Sequence, residues 1–560
     1  MESKPLITFK KVQVNLVKQS NIKDAKYIVI DKLDDIKVKF IFSQAKNKFK
    51  QGKFQSIAFY KEAEQKPKMT LVLCADKDSN IKKGQQGQPQ KEEEVKKDLI
   101  ESIKSDQQIL ADEQHEKKVK FSIIAKETLV DEESMKQLYS ASKLEGCLQA
   151  FGMPDLHPGK GIPIGASIIT EGIIYPELVD YDIGCGMCFL KTGMQVSKLT
   201  QKRLEMLSFS LKSIDCPWTS DYKKYEEFLD SELQWGSQKC EKIGIDKLDK
   251  KTLQALGTIG GGNHFAEFQE VNQIIDQQAC DELQIDQNEV FMLVHSGSRN
   301  LGEKILQGFL DDNKSSQSKG AIVGSEQFDK YMSNHDLALN FARRNRFLIA
   351  HRILEQIDSR KTVDKDIDSK YAIGSGECIV DIFHNFVEKS SIDNEDGTQK
   401  EVWIHRKGAT PSTHSKYLVI PGSRGSYSYL VKVCQENVAS SGYSLAHGAG
   451  RRMNRSKALA INKNKHPNHN DLLKTEFDSL VVCENKQLVY EEAPIAYKNI
   501  DSVVRDLVEF GLVTIVAQLK PLLTYKFKEP EFQQLQHRYD PELHRRKEYK
   551  KQDQYDSDNN

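Results

Sequence analysis

The chain has 560 residues, 38% of them hydrophobic, with 81 basic and 81 acidic side chains. That length can bury a large core and hold more than one domain, while zero formal net charge excludes a global basic footprint and leaves only a local patch for nucleic acid. Met1–Ile7 carries no apolar leader, the best apolar stretch (Gly511–Ala517) is far short of a membrane span, and the ten cysteines form no dense framework, so a soluble, intracellular protein with no membrane partner is expected.

Residues 1–78 alternate β-like runs (Leu6–Phe9, Tyr27–Asp31, Val38–Phe42, Met69–Cys74) with lysine-rich stretches, which predicts a small N-terminal α/β or all-β appendage of unknown role. Residues 79–118 shift to Lys, Gln, Gly and Glu and are read as a linker followed by a helix over Asp98–Lys118. Residues 119–527 have the texture of an enzyme: apolar runs feed loops such as Gly152–Gly159 and Ile420–Gly425, and a helix is expected over Asp329–Ser359. Residues 528–560 are read as a charged tail, expected to be partly disordered.

Several apolar runs end on metal-binding side chains. Asp182 and Cys185 follow Leu178–Tyr181 with glycines at 184 and 186, His295 ends Val290–Val294, and His384 ends Ile379–Phe383. His264 and Glu267 are three apart, so a helical turn would put them on one face. Each piece is ordinary alone; together the S, N and O donors could serve two ions bridged by Cys185, in a set that suits Mn²⁺ or Zn²⁺ better than Mg²⁺. Cys185 and Cys188 also form a Cys-x-x-Cys, but a strand continuing into Phe189 would turn Cys188 away from the ligand at 185 and into the core.

Phosphate chemistry is suggested by His447 in a glycine-rich loop ahead of Arg451 and Arg455, two arginines that would share a helix face. The residues leave two readings open: His447 attacks an activated phosphate, or it merely caps a glycine turn. Ser296–Arg299, Pro421–Ser423 with Ser428, and His405–Gly408 add loops and basic side chains that could meet phosphates or an RNA backbone.

Gly152–Gly165, Asp182–Gly186, Gly260–Phe265, His295–Arg299, His384–Asn385, His405–Thr410, Ile420–Ser423, His447–Arg451, Glu492–Pro494 and Tyr497–Asn499 resemble, in order, the motifs of the RtcB RNA ligases, over roughly residues 120–527. The resemblance implies a compact α+β catalytic domain with a central metal cleft. It also implies a GTP-dependent ligase with two Mn²⁺ ions that joins RNA 2′,3′-cyclic-phosphate or 3′-phosphate ends to 5′-hydroxyl ends through a guanylylated histidine, as in tRNA splicing or RNA repair.

By that resemblance Asp182, Cys185 and His264 would hold one ion, and Cys185, His295 and His384 the other. His447 would take GMP, with Asp155 as the motif acid. Asn263, His264, Phe265, Ala266, Glu267, His384, Asn385, Pro421, Gly422, Ser423, Arg424, Ser428, Gly448, Ala449, Gly450 and Lys526 would contact the nucleotide. Arg299, Arg451 and Arg455 would lie near RNA phosphates, and an archease-type activator or ligase-complex subunits could be partners. Two residues depart from the pattern: Arg424 replaces an apolar residue, and Phe527 follows Lys526 where glycine is common. The alternatives are an enzyme that opens cyclic phosphates or guanylylates RNA 3′ ends without sealing, and a non-catalytic RNA-binding subunit.

Overall fold

The computed structural model describes the strands within residues 5–75 by their backbone, and then residues 119–231, 233–235, 238–314, 320–358, 378–393 and 397–529. The expected strand Val38–Phe42, the linker and helix over 79–118, and the tail from 530 lie outside the described residues. The chain divides into two compact units, Met1–Glu116 and Lys117–Asn560. In the first, five antiparallel strands pair in the order Pro5–Phe9, Val12–Val17, Lys26–Ile30, Met69–Ala75, Phe54–Lys61.

The second unit is α+β and is built on two main sheets. The larger runs, antiparallel throughout, in the order Cys378–Phe383, Gly186–Gln195, Glu289–Ser296, Phe265–Ile274, Val513–Phe527, Ser428–Val433, Tyr417–Ile420. Leu480–Cys483 pairs parallel to the end of Val513–Phe527. The smaller sheet runs Asn385–Asp393, Gln399–Lys407, Pro163–Thr170, Cys147–Pro158, with Lys120–Ile123 added in parallel at its edge.

Successive side chains on a strand point to opposite faces, and the sequence uses that period to build two cores. Met187 and Phe189 face the smaller sheet, packing with Phe291, Phe151 and Ile404, and the Phe189 and Phe291 rings stack at 5.3 Å. Cys188 and Leu190, one step out of phase, face the other side, where the helix Glu326–Asp358 covers the sheet with Phe341, Phe347 and Leu348. Cys188 is therefore a core residue, as its spacing predicts.

That helix also carries polar side chains that grip loop ends. Arg346 is fully buried, donates from Nε and Nη2 to Asp381 at 2.6 and 3.0 Å, and from Nη1 to the carbonyls of Gly184 and Ser296 at 2.9 and 3.1 Å. Asn345 donates to the carbonyls of Thr258 and Gly297 at 3.2 and 3.0 Å and accepts from the Gly257 N–H at 2.6 Å. Buried carbonyls at strand ends need such donors, so the helix fixes where three loops begin. Among the described residues no helix is long and apolar enough to cross a membrane.

Candidate active site

The register of the larger sheet brings the candidate metal ligands together. Gly186 pairs with Ser296 on one side and Phe383 on the other, and Phe265 pairs with His295. Cys185 just before one strand, His384 just after the next, His295 near the end of a third and His264 just before a fourth therefore meet at one edge. Cys185 Sγ lies 3.3 Å from His264 Nε2 and 3.2 Å from His295 Nε2. His264 Nε2 is 2.9 Å from Asp182 Oδ2, and His295 Nε2 is 3.3 Å from His384 Nε2.

Separations of this size suit atoms bound to shared cations through bonds of about 2.0–2.3 Å. Cys185, His264 and His295 are all buried and their ligand atoms lie within 4.8 Å of one another. Burial pushes the Cys185 thiol well up and the His295 and His384 imidazoles well down, so the imidazoles are neutral, as ligands must be. Partial burial works against the Asp182 carboxylate, but His264 beside it holds its pKa below the ordinary value. The Ile259 carbonyl faces His264 Nδ1 at 3.0 Å, leaving Nε2 toward the cluster. Gly297 is required here: a Cβ would fall 2.2 Å from Asp182 Oδ1.

His447 adjoins this cluster, its ring 4.7 Å from that of His384. Asp155 Oδ2 accepts from the His447 backbone N–H at 3.1 Å and lies 2.6 Å from Nδ1. With the proton on Nδ1, Nε2 keeps its lone pair. Asp155 is fully buried and its Oδ1 has no hydrogen-bond partner among the described residues. Gly450, at φ +67°, lets the loop close over it, since a Cβ there would sit 2.3 Å from the Asp155 carbonyl oxygen. Such an arrangement leaves an imidazole lone pair able to act as a nucleophile, with a carboxylate to orient the ring.

The cleft beside His447 is lined by Asn263, Phe265, Glu267, His295, Pro421–Arg424, Gly448–Arg451, Arg455 and Lys526 from the sequence-derived set. It is also lined by His157, Glu492, Tyr497 and Thr524, whose roles sequence reasoning missed. Glu492 is a buried hub: Arg451 Nη1 lies 2.8 Å and Arg455 Nη1 3.3 Å from one of its oxygens, while Lys526 Nζ lies 3.8 Å from the other. Burial works against its charge, but those cations hold its pKa down. Four cationic side chains, Arg424 included, thus line one cleft around that carboxylate.

Glu267 is pushed up to about 7 by burial, opposed by hydrogen bonds from Thr524 and Gln269 at 2.5 and 2.8 Å. Arg424 donates from Nη2 to the Val489 carbonyl at 2.8 Å, while its Nε and Nη1 have no hydrogen-bond partner among the described residues. Ser428 sits behind the lining, its hydroxyl accepting from Gln269 at 2.9 Å. Asn385 braces the loop that carries Asp182, donating to the Asp182 carbonyl at 3.1 Å. Arg299 donates to Thr258 Oγ1 at 3.2 Å and faces Asp182 and Asp215.

Several local expectations need correction. His264 and Glu267 share no helical turn, because Phe265–Ile274 is a strand and its period turns Glu267 to the cleft and Ala266 into the opposite core. Arg451 and Arg455 are not on one helix: Asn454 caps the helix Arg455–Lys465, and Arg451 bridges to Tyr497 outside it. They converge on Glu492 instead. His405 and Arg406 do not meet solvent, since their strand lies inside the smaller sheet. His405 Nε2 accepts from the Tyr175 N–H at 2.9 Å, and Arg406 donates to Ser444 at 2.8 Å and to Glu388 at 2.5 Å. The Ser296 and Ser298 hydroxyls donate to the carbonyls of Ile259 and Ile183 at 2.9 and 2.5 Å, so they are not free for an anion.

Comparison with known proteins agrees with this geometry. A family model described as tRNA-splicing ligase RtcB matches residues 137–527. The chain is 38% identical over 407 residues to RNA-splicing ligase RtcB2 of Escherichia coli, covering 72% of this chain and 95% of that protein. It is 29% identical over 448 residues to tRNA-splicing ligase RtcB of Methanococcus maripaludis (70% and 91% covered) and 28% identical over 495 residues to RNA-splicing ligase RtcB homolog 2 of Entamoeba dispar (77% and 91%).

Proposed function

This chain belongs to the RtcB family of RNA-splicing ligases, and on that footing we propose that it uses GTP to join RNA 2′,3′-cyclic-phosphate or 3′-phosphate ends to 5′-hydroxyl ends. One observation carries the reading: His447, held by Asp155, stands beside a cluster of Asp182, Cys185, His264, His295 and His384 at the head of a cation-lined cleft. The mixed thiolate, imidazole and carboxylate donors fit Mn²⁺: Asp182, Cys185 and His264 would hold one ion, and Cys185, His295 and His384 a second. Bound there, the ions would supply Lewis-acid stabilisation of phosphoryl oxygens.

The protein's own groups supply the rest. His447 Nε2 attacks the α-phosphate of GTP, pyrophosphate leaves, and Asp155 stabilises the positive charge that develops on the imidazole through Nδ1–H. Arg451, Arg455 and Lys526 offset charge on the phosphates, and the Glu267 carboxylate offers an acceptor to purine N–H groups. The RNA 3′-phosphate takes GMP from His447, and the 5′-hydroxyl then displaces GMP to form the phosphodiester. A cyclic phosphate is first opened by hydrolysis. Arg299 is suited to hold an RNA phosphate near Asp182. Purified protein with Mn²⁺ and labelled GTP, with and without an archease-type activator, is expected to gain an acid-labile label that His447→Ala abolishes; a wild type that stays unlabelled in both conditions defeats the proposal.

A further inference from the structure

In the guanylylation and sealing steps of that reaction only one nucleophile must lose a proton. His447 attacks with an imidazole lone pair and the RNA 3′ end with an anionic phosphate oxygen, whereas the 5′-hydroxyl carries a proton that has to go to a base. Asp155 Oδ2 is already engaged by His447. Two residues further along the same strand, His157 is 6% exposed and lines the same cleft as His447. Its Nδ1 lies 2.7 Å from the Asp155 carbonyl oxygen, an acceptor only, so the proton sits on Nδ1 and Nε2 keeps its lone pair. No described residue hydrogen-bonds that Nε2. Asp155 therefore orients two imidazoles through their Nδ1–H groups, His447 by its carboxylate and His157 by its backbone carbonyl.

Resting on the ligase reading, we propose that His157 is the general base of the sealing step. Its Nε2 takes the 5′-hydroxyl proton as the O5′–P bond forms and the P–O bond to GMP breaks, GMP leaving with the electron pair, and the proton passes on to solvent. The titratable groups facing His157 are Asp155, His447 and Lys498. Burial pushes its imidazole down to about 4, so it is neutral and can accept a proton at neutral pH. Anionic RNA in the cleft raises its basicity toward the working range.

The test separates sealing from guanylylation in the full-length protein with Mn²⁺. An RNA strand already carrying 3′-pp-5′-G is joined to a 5′-hydroxyl strand in single turnover, and label transfer from GTP to His447 is timed separately. His157→Asn keeps a donor for the Asp155 carbonyl but has no basic nitrogen, and His157→Gln brings an amide to the Nε2 position. Both are expected to slow sealing on the order of 100-fold more than they slow guanylylation. A 5′-thiol strand, which ionises without help, is expected to close most of that gap. If either folded variant seals like wild type, or loses both steps and both strands equally, His157 is not the base. If wild type takes no label, the ligase reading itself fails.

Discussion

Asp155 acts on the nucleophile through a single carboxylate oxygen 2.6 Å from His447 Nδ1. An amide in its place could present an N–H to that nitrogen and favour the wrong tautomer. Asp155→Asn is therefore expected to cut labelling of His447 by about 10²–10⁴-fold with the far-UV spectrum retained. Glu267 makes a pH-dependent prediction. Its pKa of about 7 means that the acceptor form grows as pH rises from about 6 to 8, so GTP is expected to bind more tightly across that interval. Calorimetry at several pH values checks it, and Glu267→Gln should flatten the profile; an unchanged slope in the variant would rule Glu267 out as the source. The Cys and His residues that cluster could be picked out in the sequence because several such runs, each ordinary alone, recur together and in the order of one family's motifs. His157 and Glu492 could not be read this way. Both stand in quoted motifs, but one is defined by a hydrogen bond to a backbone carbonyl and the other by three cations from distant segments.

Strand ends were easier to find than the faces of the segments beyond them. The runs Val290–Val294 and Ile379–Phe383 are strands, and the helix expected over Asp329–Ser359 spans Glu326–Asp358. Spacings of three and four misled at 264/267 and 451/455, because such a spacing suits a helix, a strand entry or a capped loop equally until the register is known. His405–Lys407 misled for another reason: basic residues read as a surface when their carboxylate and carbonyl partners lie far away in sequence. At this scale the helix Glu326–Asp358 has the sharpest mutational consequence. Arg346→Met would take one guanidinium away from the buried Asp381 and release the Gly184 and Ser296 carbonyls at the edge where the Cys/His cluster sits. A loss of about 3–5 kcal/mol is expected in denaturant melts, together with weaker Mn²⁺ retention on dialysis. Equal stability of variant and wild type would show that the clamp does not hold the site.

For the molecule as a whole, acid is the vulnerable direction. His157 and His405 are both buried and pushed down to about 4, while an unfolded histidine titrates near 6.5. Between those values the unfolded chain binds more protons than the folded one. The contribution is complete above about pH 6.5 and is lost as pH falls toward 4, at up to about 1.4 kcal/mol per pH unit for each group. Urea midpoints at pH 7, 6 and 5 should fall in that order, and a level series would refute the assignment. The strand Val513–Phe527 has a different consequence. It lies in the middle of the larger sheet, between Phe265–Ile274 and Ser428–Val433, and it delivers Lys526 to the cleft. A nascent chain emerging from the ribosome therefore has a gap where its central strand belongs until the last of these residues is made. Assembly of the catalytic unit must wait until this strand has been made, and messages cut short before codon 513 would yield polypeptides with two unpaired sheet edges, ready substrates for chaperones and proteolysis.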